Sequence, residues 1–250
     1  MNNLSGILLA CAAALGSSGL HAAIIVTSAS NLNVVEGIAF NGTVATFTDT
    51  NPNQPVSDFS STINWGDGTT STATITTGNG FFTISGNHTY PEENSPPYVT
   101  TMSVNDTDGE SASGIGSASV GDAQLSLIAS LPSFSFMAGV PVSVVFGSFG
   151  DANPFGLPSD FMGTINWGDG TTSAATISTG PNGFDILGVH TYANLGNFLA
   201  SVSVLDDGGS GLSFGTEAVG AVPEPGSLAM IVIGLGSTSA TARRRRWTAR

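Results

Sequence analysis

The chain has 250 residues, 40% of them hydrophobic, which is enough for one large domain or for two of ordinary size with extensions at the ends. Its charge is one-sided: there is no lysine, all five arginines fall within residues 243–250, and the 18 acidic residues lie between Glu36 and Glu224, for a formal net charge of −13. Such a surface repels nucleic acid and anionic membranes and excludes a nucleic-acid partner, while a lone cysteine, Cys11, excludes a disulfide framework and a cysteine-based metal site.

The first 23 residues, MNNLSGILLACAAALGSSGLHAA, hold an apolar run over Ile7–Leu15, a Gly/Ser break and a small-residue end. That outline predicts a secretory signal peptide at residues 1–23, cleaved after Ala22 or Ala23, and hence an exported chain. No Lys or Arg precedes the apolar run, a departure from the usual pattern. Leu8-Leu9-Ala10-Cys11 resembles a lipoprotein box, but the apolar run continues past the cysteine, which argues against lipidation. With Cys11 removed in the signal, each domain is held by its apolar core alone.

Further along, the run INWGDGTTS at Ile63–Ser71 recurs at Ile165–Ser173. Gly37, Asp49, Trp65, His88 and Tyr90 reappear 102 residues later as Gly139, Asp151, Trp167, His190 and Tyr192, and 21 of the 29 positions in Thr62–Tyr90 are identical to Thr164–Tyr192. A period near 100 is too long for a solenoid and predicts tandem globular domains, drawn at residues 24–121 and 124–220.

Within a unit the pattern is that of strands. Ile63 and Trp65 share one face with Asn64 on the other, Ala73 and Ile75 return to that face after the turn, and Tyr98, Thr100, Met102 and Val104 alternate with Val99, Thr101, Ser103 and Asn105. The counterpart of that last run is Phe198, Ala200, Val202 and Val204. Gly66-Asp67-Gly68 sits between two strands, and Asp-Gly accepts the positive φ of a tight hairpin turn. Short strands, Gly/Asn/Pro turns and no helical period outside the ends predict an all-β chain of sandwiches.

Trp-Gly-Asp-Gly-Thr, then His-Thr-Tyr some twenty residues on, then an alternating strand ending in Asp and Gly (Asn105-Asp106-Thr107-Asp108-Gly109; Leu205-Asp206-Asp207-Gly208) resembles the PKD domain. The resemblance spans both units and implies two tandem immunoglobulin-like β-sandwiches of the kind found in bacterial surface proteins and secreted hydrolases. The second unit keeps the family's glycine after His-x-Tyr, as Gly196, whereas the first has Pro91–Pro97 there, two residues longer.

Asp67, Thr69 and His88 could be assembled into a catalytic group, yet the histidine lies some twenty residues away and no serine or cysteine elbow accompanies it. Every residue has a structural task instead. Trp65 and Trp167 share a face with Ile63 and Ile165 and so belong to the core rather than to sugar-stacking platforms. Asp67 and Gly68 make the turn, Tyr90 makes a tyrosine corner, and His88 and His190 hydrogen-bond beside that corner. One histidine per domain is too few for zinc.

Asp49-Thr50-Asn51-Pro52 and Asp151-Ala152-Asn153-Pro154 recur at matching positions, with Asp106/Asp108 and Asp206/Asp207 closing the final strands. Oxygen ligands of this kind suit calcium, and the PKD resemblance implies the same, so Asp49, Asn51, Asp151 and Asn153 are candidate calcium ligands. The competing reading is turn chemistry, which favours Asp and Asn for local hydrogen bonds alone.

The tail, residues 222–250, begins Val222-Pro223-Glu224-Pro225, continues through an apolar stretch at Leu228–Leu235, and reaches Arg243, Arg244, Arg245 and Arg246. It resembles the PEP-CTERM sorting signal. That resemblance implies a single membrane-spanning helix, cleavage at Pro223-Glu224-Pro225 by an exosortase-type enzyme, and release to the cell surface or its matrix. The order fits the positive-inside rule, although Gly234–Ala242 is rich in Gly, Ser, Thr and Ala and the span is only mildly apolar. The reading is an exported, non-enzymatic bacterial surface or matrix protein, structural or adhesive, which touches a membrane only through this tail before processing. Its expected partners are the processing enzyme and exopolysaccharide or other surface proteins. A polysaccharide-binding accessory module and a secreted enzyme are the rivals.

Overall fold

The alternation read along Tyr98–Asn105 is that of a strand buried on one side: Thr100, Met102 and Val104 are buried, whereas Val99 and Asn105 are exposed. The same pattern makes eighteen strands in the computed structural model, which describes residues 23–51 and 53–221. The predicted signal segment through Ala22, Pro52 and the sorting tail from Val222 lie outside the described residues. Among the described residues no helix is long and apolar enough to cross a membrane. The chain divides into two units between Asp122 and Ala123.

Unit 1 contains β1 (Ile24–Ala29), β2 (Asn31–Val35), β3 (Phe40–Asp49), β4 (Phe59–Asn64), β5 (Thr70–Thr72), β6 (Thr74–Gly78), β7 (Phe81–His88), β8 (Asn94–Asp106) and β9 (Ser111–Gly121). Its sheets run β1-β3-β7-β6 and β2-β9-β8-β4-β5. Unit 2 repeats this with β10 (Leu125–Ser130), β11 (Ser133–Phe136), β12 (Val142–Asp151), β13 (Phe161–Asn166), β14 (Thr172–Ala174), β15 (Thr176–Gly180), β16 (Gly183–His190), β17 (Asn197–Asp206) and β18 (Gly211–Gly220), in the orders β10-β12-β16-β15 and β11-β18-β17-β13-β14. The first strand of each unit is split between the two sheets, so β2 and β11 pair in parallel with the last strand, β9 and β18. With that split strand counted once, and β5 counted with β4, one sheet holds the first, second, fifth and fourth strands and the other the third, sixth and seventh. That is the strand order of an immunoglobulin-type sandwich.

The hairpin after β4 differs from expectation in two ways. Positive φ falls on both glycines, 89° at Gly66 and 91° at Gly68, and not on Asp67. A Cβ on Gly66 would also lie 2.6 Å from the Val99 carbonyl oxygen, so that position excludes any other residue on two counts. The segment expected to return as one strand is divided: β5 ends at Thr72 in the sheet of β4, and β6 starts at Thr74 in the opposite sheet. The Ala73 N–H, donating to the Ser61 carbonyl at 2.9 Å, marks the crossing.

The core of unit 1 gathers Phe47, Ile63, Trp65, Ile84, Met102 and Val104 between its sheets, and unit 2 gathers Phe146, Phe149, Ile165, Trp167, Ile186 and Val202. Both tryptophans are inside, at 0% and 1% exposure, as their shared face with isoleucine predicted. A buried ring of that size removes roughly 200 Å² from water, on the order of 5 kcal/mol at about 25 cal/mol per Å². The opposite sheet makes room with glycine: a Cβ at Gly86 on β7 would stand 2.5 Å from Ile63 Cδ1 and 2.9 Å from Trp65 Cζ2. Gly188 on β16 has the same relation to Ile165 and Trp167.

Gly86→Ala therefore overpacks one core and is expected to destabilise unit 1 by about 1–3 kcal/mol while leaving the unfolding of unit 2 in place. Gly68→Ala, whose Cβ meets nothing within 4 Å, carries only the left-handed backbone cost of about 1 kcal/mol. Calorimetry of the full chain checks the ranking, and a milder effect at Gly86 than at Gly68 would contradict the packing account.

Candidate functional site

The repeated motif residues converge at one end of each sandwich, where the hairpin after β4 meets the end of β7. The turn fixes Asp67 first: its Oδ1 accepts the Thr69 N–H at 2.9 Å and the Thr69 hydroxyl at 2.6 Å. That leaves Oδ2 facing the last residue of β7, where it accepts His88 Nε2–H at 2.7 Å. The His88 ring lies flat on Trp65, with centroids 4.7 Å apart and planes at 12°, and Tyr90 meets its edge at 4.5 Å and 87°. The Tyr90 hydroxyl donates to the Trp65 carbonyl at 3.0 Å, while its own carbonyl accepts the Gly37 N–H at 2.8 Å. Trp65 Nε1–H donates to Ser71 Oγ at 3.0 Å.

Unit 2 reproduces these side-chain bonds to within 0.1 Å. Thr171 donates to Asp169 at 3.0 and 2.6 Å, His190 to Asp169 at 2.8 Å, Tyr192 to the Trp167 carbonyl at 3.1 Å and Trp167 to Ser173 at 3.0 Å. The units differ in what flanks the tyrosine. Tyr90 stacks on Tyr98, and Tyr192 lies against both Phe136 and Phe198.

Burial alone would raise the Asp67 carboxyl, but the hydroxyl and amide of Thr69, and then the ring of His88, outweigh it and hold the group below the usual carboxylate range. Asp169 is held low in the same way by Thr171 and His190. Burial, and then the nearby Asp169 charge, push the Tyr192 hydroxyl up to about 12, and burial moves Tyr90 in the same direction. Both tyrosines therefore remain donors at any physiological pH.

The separation of 21 residues, which counts against a catalytic group in the sequence, is closed by the fold, because the β4–β5 hairpin and the end of β7 meet, and His88 is hydrogen-bonded beside the tyrosine corner as expected, with Asp67 as its partner. The Tyr90 hydroxyl returns to backbone as the tyrosine corner requires, and its acceptor is the Trp65 carbonyl just past the end of β4, 25 residues upstream. A carboxylate–imidazole pair serves a nucleophile when the imidazole's other side holds one. Here the Thr69 hydroxyl is committed to the carboxylate and the Tyr90 hydroxyl to a backbone carbonyl, while Ser71 Oγ accepts the Trp65 Nε1–H. The side chains of His88 and Asp67 are 13% and 7% exposed. The arrangement clamps the hairpin to β7 and caps the tryptophan.

The candidate calcium residues fall into one pair per unit. Asp49 Oδ1 accepts the Asn51 N–H at 2.6 Å, Asn51 Oδ1 accepts the Asn53 N–H at 3.2 Å, and the Asn51 amide donates to Gln54 at 2.6 Å. Gln54 Nε2–H reaches on to Asp106 at 3.1 Å, which ties this loop to the end of β8. Asp151 and Asn153 repeat the two backbone bonds, at 2.9 and 3.0 Å. Asp49 Oδ2 is buried and accepts no hydrogen bond among the described residues. Sequence reading did not anticipate a further acidic cluster in unit 1, where carboxylate oxygens of Glu36, Glu92 and Glu93 lie within 4.8 Å of one another.

No protein-family model matches the chain, and no curated protein matches it. Solved structures similar to it include the titin domains Z1Z2 in complex with telethonin, at 13% identity and TM-score 0.40 over 80% of this chain and 98% of that one. Others are DIP-gamma IG1+IG2, at 10% identity and TM-score 0.34 over 80% and 99%, and the human desmocollin-1 ectodomain, at 15% and 0.35 over 82% and 43%. The fold assignment rests on the strand order, independently of these likenesses.

Asp67→Asn keeps the shape of the clamp but weakens its acceptors, with an expected loss of about 1–3 kcal/mol in unit 1 at neutral pH. Because the folded carboxyl lies below its unfolded value of 3.8, its contribution is present above that pH and disappears as pH falls through the folded value. Denaturant melts between pH 7 and pH 2 should show a shallower acid loss in the variant's unit 1 than in wild type. Equal slopes would contradict the ionised clamp.

Proposed function

We propose that this chain is an exported, non-enzymatic bacterial protein that serves at the cell surface or in its matrix as a structural or adhesive module, and that it is released by an exosortase-type enzyme acting at Pro223-Glu224-Pro225. The observation that carries the non-enzymatic part is the repeated clamp. The residues most suited to catalysis occur twice in one geometry, with the aspartate carboxylate, the histidine Nε2 and the tyrosine hydroxyl bound to the hairpin, to the tryptophan or to each other. Support for export and sorting comes from the two ends of the sequence: a signal-like apolar run at the start, and at the finish the order Pro-Glu-Pro, apolar stretch, Arg243–Arg246.

A stacking type of polysaccharide site finds little support, since Phe81 and Phe155 are the large exposed aromatics among the described residues and both tryptophans are buried. Adhesion through protein contacts is better supported. Met162 and Leu205, cross-strand partners on β13 and β17, are 76% and 52% exposed, and Leu199 on β17 is 71% exposed.

Mass spectrometry of protein recovered from the cell surface tests the sorting reading. The mature chain is expected to lack Arg243–Arg246, and a variant altered at Pro223-Glu224-Pro225 should accumulate uncut in the membrane. Released protein that retains Arg243–Arg246 contradicts it.

Calcium at the acidic loops is a second reading, favoured by the buried Asp49 Oδ2 that accepts no hydrogen bond among the described residues. Calcium takes six to eight oxygens, and Asp49 and Asn51 would contribute only part of that shell, with Asp151 and Asn153 the corresponding pair in unit 2. Millimolar calcium should raise the melting temperature more than NaCl of matched ionic strength does, with Asp49→Asn reducing the increment in unit 1. Superimposable curves in the two salts leave only screening.

A further inference from the structure

An edge strand presents a row of unpaired backbone N–H and C=O groups, and native proteins blunt such edges with bulges, short strands, proline or charge. Most edges here carry one of these devices. The ladders of β1 and β10 are interrupted by bulges, β5 and β14 are three residues long, β11 is four, and β2 runs directly into Glu36. β6 and β15 carry none: each is an edge strand of five residues, Thr74–Gly78 and Thr176–Gly180, in unbroken register with its inner neighbour and without charge or proline. Among the described residues, neither makes a hydrogen bond beyond its ladder to β7 or β16.

The two edges differ in what lies beside them. Asp185 on β16 is the cross-strand partner of Ser178, and its carboxylate covers the edge strand, so that a Cβ at Gly180 would lie 2.7 Å from Asp185 Oδ1. In unit 1 Thr83 holds the matching position, opposite Thr76, and a Cβ at Gly78 meets nothing within 4 Å. Gly78 is paired with Phe81, an exposed ring, where Gly180 is paired with Gly183. β15 is therefore guarded by a carboxylate. β6 is open, has an aromatic ring beside it, and has no carboxylate in its own strand or in β7.

A chain with a net charge of −13 repels its own copies, and at physiological salt, where the Debye length is about 8 Å, the repulsion is strongest where carboxylates come close. Two copies meeting edge to edge at β6 bring together strands that have none. The strand also complements itself. Laid antiparallel on a second β6 about its middle residue, Thr76 faces Thr76, Ile75 faces Thr77 and Thr74 faces Gly78, and pairs of threonine and β-branched residues across strands are favourable. The missing side chain at Gly78 leaves the Phe81 ring free to cover the threonine laid opposite. We propose that β6 is the seam of a symmetric dimer, in which the β6 edges of two copies pair antiparallel and join two four-stranded sheets into one of eight. The dimer depends on neither the sorting reading nor the calcium reading.

Sedimentation velocity of the purified full chain at physiological salt, over concentrations up to about 1 mM, tests the seam. A monomer–dimer equilibrium is expected, with a dissociation constant that rises roughly tenfold or more in Thr76→Asp, because like charges directly opposite one another oppose strand pairing. Thr74→Asp, at a second exposed position of β6, should act in the same way. Ser178→Asp adds the same charge at the matching place in unit 2 and should leave the constant unchanged. Fluorescence of the buried tryptophans reports whether each variant is folded. A wild-type chain that stays monomeric throughout overturns the proposal. So does a dimer that both β6 variants leave intact, which assigns association to another surface, and so does one weakened equally by Ser178→Asp, which makes net charge rather than a seam at β6 the cause.

Discussion

The described part of this chain must stabilise its carboxylates without a single ammonium or guanidinium group. Of the 18 acidic residues only Glu224 lies outside the described residues, leaving 17, while all five arginines are beyond residue 242. Neutral donors therefore do the work that ion pairs do elsewhere. Threonine hydroxyls and turn amides hold Asp67 and Asp169, an imidazole completes each, the Gln54 amide reaches Asp106, and the Leu157 N–H donates to Asp160 at 2.6 Å. In unit 1 no carboxylate lies in the interior of a strand: each belongs to a turn, a loop, the short 3-10 segment Val56–Asp58 or a strand end. Asp and Asn favour turns for local reasons and strands disfavour them, so this distribution follows from backbone chemistry as much as from electrostatics.

That constraint explains why the repeated motif is so invariant between the units. The tryptophan fills the space between sheets, and its backbone carbonyl and ring face are capped by the tyrosine and the histidine. The aspartate orients the histidine while closing the hairpin from which the tryptophan comes. Each member positions another, so loss of one leaves a buried polar group of its neighbour unsatisfied, which costs more than the bond itself contributes. The glycine on β7 or β16 belongs to the same arrangement, because any larger residue there meets the tryptophan ring.

What differs between the units is the surface. Ser60 and Asn105 are cross-strand partners in unit 1 where Met162 and Leu205 are partners in unit 2. Unit 2 also bears an apolar cleft lined by Phe136, Met137 and Val140. The repeat keeps the interior and differs in the exterior.

Several features were legible without the fold because they are local. Positive-φ turns announce themselves through glycine, inward positions through alternation of two, and the duplication through plain identity. Trp65 shares its face with Ile63 and belongs to the core on those grounds, Met102 and Val104 share one face of an alternating strand, and all four are buried. Other features depend on which strands become neighbours, a property no window of sequence contains. The crossing at Ala73 that divides one apparent strand between two sheets, the contact of Asp67 with His88, the reach of Tyr90 back to Trp65, and the packing of Ile63 and Trp65 over Gly86 all arise from sheet order. The sequence by itself determined the turns, the inward faces and the repeat, because those follow from the conformational limits of single residues and their spacing. Only the tertiary structure decided how the motif's polar atoms are paired, because hydrogen bonds between residues twenty or more apart exist only once two sheets have closed on a common core.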